Sequence, residues 1–379
     1  MEELKDFLNA SGLTNLDWQN FLLLFLGTTF VVFAIARKTE PYVLLPIGLG
    51  IILANLPLTG LTDYSPGAGQ QESGFLGVIF EFAIFRWNIL PPLIFLGLGA
   101  LTDFGPIIAN PKTLLLGAAA QMGIFAAFWI ALVSGFEMEE AAAIGIIGGA
   151  DGPTTIFASA RLAPELLGIT AVTAYSYMAG VVFIQPPLMR LLTTKREREI
   201  VMRPLREVSR LEKLLFPTAT MVIIILVVPE SAPLIAMFMI GNLFRESGVV
   251  PRLFNAASNE ILNIATIFLM ITVGAQLSAG LVFDVDTAKI LGLGLGAFAF
   301  STISGLLFAK GMNLFVKEKI NPLIGSAGVS AVPMAARISH NMGQRANPQN
   351  FLLPHAMGPN VAGVIGSAVV AGVFISILS

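Results

Sequence analysis

The chain has 379 residues, a net charge of −2, 55% apolar residues and only 12% charged ones. Soluble domains carry about 25% charged residues, so a water-exposed globule is excluded. A disordered chain, which is polar and charged, is excluded too. Cysteine is absent and there are only two histidines, His340 and His355, so disulfides, thiolate chemistry and a histidine-rich zinc site are ruled out. The charge balance offers no basic patch for nucleic acid. Long apolar runs, rather than short alternating segments, point to an all-α polytopic membrane protein instead of a β-barrel.

The N-terminus, Met1-Glu2-Glu3-Leu4-Lys5-Asp6, lacks the basic start of a signal peptide, so the first apolar run is expected to stay as a span. Runs long enough for a ~30 Å hydrocarbon core lie at 20–36, 42–57, 88–104, 113–134 and 166–192. After a polar stretch come 214–229, 232–244, 259–281, 288–312 and 351–379, about ten in all. The segment 74–87 is mixed in polarity and reads as interfacial. Two further stretches, 141–160 and 322–336, are apolar but broken by Gly and Pro, and read as re-entrant hairpins.

Lys and Arg mark cytoplasmic loops. With the N-terminus outside and both hairpins re-entrant, every basic residue except Lys5, Arg86, Arg161 and Lys289 falls inside. The loops 59–73, 134–140 and 228–232, expected outside, carry no Lys or Arg. The chain then divides into a first repeat (1–193, hairpin 141–160), a cytoplasmic linker (194–213) and a second repeat (214–379, hairpin 322–336). Each half has five spans with its hairpin between the fourth and fifth, and the halves run in opposite directions, as in secondary transporters. Both hairpins open with Ile-Gly-small-Ala (Ile147, Ile324) and close with Ala-Arg (Arg161, Arg337). The linker is either a solvated connection or a docking surface for a soluble partner.

Asp151 stands out, within Gly148-Gly149-Ala150-Asp151-Gly152-Pro153-Thr154. A carboxylate at mid-bilayer costs about 2.5–3.5 kcal/mol on insertion scales. The flanking Gly and Pro break the helix and free carbonyls that lipid does not satisfy. Carboxylate, carbonyls and Thr hydroxyls together form an oxygen cage suited to a hard cation such as Na⁺; the other reading is a cap on the second half-helix. Ser330 holds the related place in the second hairpin, as a site residue or a small packing residue. Asn321 and Gly325 open that hairpin, and Asn321 is equally readable as an N-cap before Pro322. Arg337 is a headgroup anchor or a fixed fork for a substrate carboxylate. Tyr177, deep in the fifth span, needs a hydrogen-bond partner and so points to a polar site nearby. Asn360, beside Pro359 in the last span, is a candidate cation ligand. His340 and His355 read as solvated or interfacial, and Asp103 as a boundary residue. No nucleotide or zinc motif is present.

The Asp151 motif, Ala174-Tyr175-Ser176-Tyr177-Met178, the run Asn321 to Arg337 and the run His355 to Ser367 together resemble one family. It is the membrane β subunit of the biotin-dependent sodium-translocating decarboxylases, acting on oxaloacetate, methylmalonyl-CoA, malonate or glutaconyl-CoA. The resemblance covers nearly the whole chain. It implies a subunit of a bacterial-type cytoplasmic membrane that decarboxylates carboxybiotin, consumes a proton and exports Na⁺. The partners it implies are a biotinyl carrier, a carboxyltransferase and a small membrane subunit, with homo-oligomers in the complex. It further implies Na⁺ ligands among Asp151, Asn321, Gly325, Ser330 and Asn360. Arg337 and Tyr177 would handle carboxybiotin, and Asp151 and Ser330 would take part in catalysis. Oxaloacetate-type members carry a long insertion at 59–73 that this chain lacks, which points to an acyl-CoA-type complex. The rivals are a plain Na⁺-coupled solute carrier and a purely structural membrane anchor.

Overall fold

The computed structural model describes residues 11–38, 40–66, 73–278 and 284–379. Lys5, the middle of the 59–73 loop and the end of the 259–281 run lie outside them. Among the described residues every regular element is helical, as the composition predicts.

α1 (Trp18–Arg37) opens on a reciprocal cap, Asp17 accepting the Asn20 N–H and the Asn20 side chain accepting the Asp17 N–H. α2 (Pro41–Ala54) starts on proline, whose missing N–H is no loss at a helix start. α3 (Phe75–Arg86) and α4 (Leu90–Leu101) form one broken unit bent by 73°. The segment expected at the interface is therefore the first limb of a bent pair. Its polarity is explained by an Arg86–Glu81 ion pair along its π-helical stretch. α5 (Thr113–Val133) leads into the first hairpin, α6 (Met138–Ile146) and α7 (Gly152–Leu162). α8 (Leu167–Leu192) is bent by 58° at Met178–Gly180. Beyond the linker come α9 (Arg210–Val227), α10 (Ala232–Ser247), α11 (Pro251–Ala275) and α12 (Val285–Phe315). The second hairpin follows, and then α14 (Leu353–Leu378) closes the chain.

Five of these helices (α1, α5, α11, α12 and α14) are long and apolar enough to cross a membrane, or up to seven spans if each bent pair is one. The other three expected spans are also helices, but α2 and α10 have only 14 and 16 residues, and α9 carries Arg210, Glu212 and Lys213 in its first turn.

The second hairpin differs from the expected one. Its first arm is a 3₁₀ segment, Pro322–Gly328, and its second is α13 (Met334–Ala346). Arg337 therefore lies in the first turn of α13 and does not end the hairpin. Arg161 does end α7, so the Ala-Arg pairs are not equivalent places. Of the Ile-Gly openings, Gly148 lies against Gly123 of α5 and Gly325 against Gly305 of α12, each backbone to backbone with the helix before its hairpin.

Closely packed helix pairs include α1 with α2, α9 with α10, α2 with α11, α10 with α4, α8 with α12, and α14 with α5. Small residues let these backbones approach. A Cβ added at Gly50 or Gly274 would lie 2.1 or 2.2 Å from the carbonyl of Ile271 or Ile47. At Gly241 or Gly99 it would lie 2.0 or 1.9 Å from that of Leu96 or Phe238, with the same three-residue spacing.

Contacts also sort the loops to two ends. At one end Arg161 pairs with Glu230 at 2.7 Å and Lys289 lies over the Phe136 ring. At the other, Lys310 donates to the Leu192 carbonyl and Asn350 to that of Arg198, which seats the linker on the bundle.

Candidate functional site

α6 tightens into a 3₁₀ turn at Ile147–Gly149, and Ala150 then takes φ 55°, the left-handed region, to reverse the chain. Asp151 follows in extended backbone and caps α7, its Oδ1 accepting the Thr154 N–H at 3.3 Å. Its Oδ2 accepts from the Ser367 hydroxyl of α14 at 2.7 Å. The residue is 4% exposed. Among the described residues no basic side chain pairs with it. One carboxylate oxygen thus caps α7 and the other accepts the Ser367 hydroxyl.

The hairpins meet at their tips. The Ser330 N–H donates to the Gly149 carbonyl at 2.9 Å, and the Ser330 hydroxyl donates to that of Ser367 at 3.3 Å. Ser367 thus stands between Ser330 and Asp151. Neighbouring helices hold the tip backbones. Asn360 donates to the carbonyls of Ala327 and Val329 at 2.9 and 2.8 Å, and Ser301 to that of Gly148 at 2.7 Å. A buried carbonyl left without a partner is costly, so these side chains fix both tips.

Oxygens remain free around this crossing. Thr154 Oγ1, Tyr175 Oη, Gln121 Oε1 and Asn360 Oδ1 are buried and make no hydrogen bond. Tyr175 packs flat on Gly152, where a Cβ would lie 2.2 Å from Cζ. A Cβ at Gly149 would meet Gln121 Oε1 at 3.5 Å. The donor set is all oxygen, and the described residues hold no cluster of His, Cys, Asp and Glu for a transition metal. Such a set suits a hard cation.

Four expected site residues lie elsewhere. The Asn321 side chain accepts the Leu323 N–H and donates to the carbonyls of Arg198 and Ile200, so it caps the 3₁₀ segment and ties the linker to it. The Gly325 carbonyl lies against Gly305. Tyr177 points to α12, its hydroxyl donating to the Leu291 carbonyl and its ring packing on Gly294. Arg337 is exposed on α13 beside Glu40. Burial raises the Glu40 carboxyl above its ordinary range, and the Arg337 charge opposes that rise. His355, expected to be solvated or interfacial, is buried at 6% exposure. His340 lies edge-on to Phe351.

Sequence reasoning missed Tyr175, Gln121 and Ser367. Tyr175 and Ser367 lie inside motifs it singled out, and Gln121 is a lone amide in an apolar span, a polar signal left unused.

A family model described as the Na⁺-transporting oxaloacetate decarboxylase beta subunit matches residues 19–378. The methylmalonyl-CoA decarboxylase subunit beta of Propionigenium modestum is 52% identical over 100% of this chain and 99% of its own length. The glutaconyl-CoA decarboxylase subunit beta of Acidaminococcus fermentans is 50% identical over 99% of this chain and 97% of its own. The oxaloacetate decarboxylase beta chain of Klebsiella pneumoniae is 48% identical over 99% of both.

Proposed function

The chain belongs to the family of Na⁺-transporting oxaloacetate decarboxylase beta subunits, and from that premise we propose that it decarboxylates carboxybiotin and couples the reaction to outward Na⁺ transport. Carboxybiotin and one proton give biotin and CO₂: the bond from the biotin nitrogen to the carboxyl carbon breaks, and its electron pair takes the proton. The carboxybiotin arrives on a biotinyl carrier, loaded by a carboxyltransferase, and a small membrane subunit completes the complex. Nothing favours the solute carrier without chemistry.

One observation carries the reading: a buried carboxylate, without a basic partner, at the point where two broken hairpins touch. An uncompensated buried charge is expensive, several kcal/mol in effective terms. Asp151 therefore holds either a cation or a proton. Na⁺ leaves when a proton replaces it on Asp151, and that proton then passes to the biotin nitrogen, which frees the carboxylate for the next Na⁺ and ties proton consumption to release. Ser330, Ser367 and the free oxygens of Thr154, Tyr175 and Gln121 complete the cation's surroundings, with Asn360 holding the second tip. Asn321 and Gly325 act through that hairpin's first arm. Arg337 receives the carboxylate of carboxybiotin, and Tyr177, held against α12, shares in its handling.

The helix packing and glycine contacts support ten spans in two inverted repeats, 1–193 and 214–379, joined by the 194–213 linker at the cytoplasmic end. The pairing of Arg161 with Glu230 supports the same sidedness, since both fall in segments expected outside. The place is a bacterial inner membrane. The relatives' alignments support an acyl-CoA-type complex: 428 residues are needed against the Klebsiella oxaloacetate chain, 375 against the glutaconyl-CoA one. Proteoliposomes of the chain given free carboxybiotin should release CO₂ only when Na⁺ is supplied. Release indifferent to Na⁺ sinks the coupling.

A further inference from the structure

A cavity lies away from Asp151, at the end of the bundle that carries the linker. It encloses about 880 Å³ between the start of α5, the end of α12 and the linker backbone at 200–206. Ligand pockets run from about 300 to 1,000 Å³. Its mouth is cationic, with Lys112, Arg203, Arg206, Lys317 and Lys319. Arg203 is engaged by Glu318 and Arg206 by Glu212, each at 2.6 Å, and Lys319 donates to the Asn313 carbonyl. Among the described residues Lys112 and Lys317 make no ion pair. Its inner wall includes His355, 6% exposed, whose Nδ1 has no hydrogen-bond partner. Two ammonium groups without an ion-pair partner and a buried, unpartnered imidazole nitrogen line one cavity, a set suited to an anion.

The remaining walls are apolar, Met312 and Ile324 among them, and one leads outward. Phe315 lines the cavity and is 89% exposed at the end of the 31-residue α12, and Leu314 beside it is 81% exposed. A soluble anion has no use for that track, whereas an acyl chain does. Basic pockets between helix ends at the membrane surface suit anionic headgroups.

We propose that this cleft binds an anionic phospholipid, its phosphate between Lys112, Lys317 and His355 and one acyl chain along Leu314 and Phe315. The proposal rests on the membrane placement alone, not on the carboxybiotin reading. The cleft touches the second hairpin at Ile324, and Asn321 joins that hairpin to the linker. A bound lipid therefore braces the linker against the hairpin entrance.

The test is thermal unfolding of the full chain in vesicles of phosphatidylcholine alone or with added phosphatidylglycerol. The midpoint should rise by several degrees with phosphatidylglycerol in the wild type. The rise should vanish in Lys112→Gln/Lys317→Gln, whose exposed side chains leave the fold intact, and persist in Lys195→Gln, a linker cation outside the cleft. Equal rises in all three proteins, or equal losses in both variants, overturn the proposal. So does matching protection in detergent by inorganic phosphate, which assigns a free anion. Protection by an acidic polyglutamate peptide but not by phosphatidylglycerol also overturns it, in favour of a soluble partner.

Discussion

Tyr175→Phe separates a cation ligand from a packing residue. The ring of Tyr175 covers Gly152, next to Asp151, and its hydroxyl is buried without a partner. Such a group costs about 1–3 kcal/mol when left unsatisfied. Removing it should leave the Na⁺-free protein as stable as wild type or more so. At roughly 2–4 °C per kcal/mol for domains of 150–250 residues, and less for a longer chain, the gain is at most a few degrees. With Na⁺ the sign reverses. A contact to a charged group is worth about 1.5–3 kcal/mol, so losing it should weaken Na⁺ roughly 10- to 150-fold. Thermal unfolding across a Na⁺ titration reads both effects, since a ligand stabilises the fold by RT ln(1 + [L]/Kd). Lower stability without Na⁺ would mean the hydroxyl has a partner after all. An unchanged Na⁺ midpoint would remove Tyr175 from the site.

Gly152→Ala places a Cβ 2.2 Å from Tyr175 Cζ, a ring atom with little room to give. It should destabilise the chain by about 1–3 kcal/mol, the usual overpacking cost, but cost little when added to Tyr175→Ala; the same loss in both backgrounds refutes the contact. Gly50→Ala and Gly241→Ala push a Cβ against the Ile271 and Leu96 carbonyls at 2.1 and 2.0 Å, and should lower thermal midpoints alike. A marked effect in one alone argues against equivalent halves. Arg337→Lys keeps the charge but loses the planar fork. It should slow carboxybiotin decarboxylation at least about tenfold, one charged hydrogen bond at about 1.4 kcal/mol per tenfold, while Na⁺ binding persists. Turnover within about a factor of two of wild type leaves Arg337 a helix-end residue.

Asp151 was legible because a carboxylate in an apolar, Gly- and Pro-broken stretch is too costly in lipid to persist without a role. The two Gly- and Pro-broken stretches stood out for the same reason. Their arms did not: with Pro322, Pro333 and small residues between them, composition does not distinguish a 3₁₀ arm from an α one, so the second arm was ended at Arg337 instead of Ala346. Tyr175 and Tyr177 sit two residues apart on one helix and face nearly opposite sides. Which of them meets Asp151 depends on how α8 packs against α7 and α12, which is tertiary information. Ser367, in a run of Gly, Ala and Val, reads as packing until the fold brings it within 2.7 Å of the Asp151 carboxylate. His355 read as solvated or interfacial because it flanks a polar loop, yet it lies in the first turn of α14, which takes it into the core.

The most direct test of the coupling is to follow Na⁺ uptake and CO₂ release together in proteoliposomes given free carboxybiotin, for wild type and Asp151→Asn. The substitution keeps the shape of the side chain and removes the charge that holds the cation. Both signals should rise together with Na⁺ in the wild type, and both should be lost in a variant that still inserts and folds. Near-normal Na⁺-stimulated turnover by Asp151→Asn would contradict the account and leave Asp151 a helix cap.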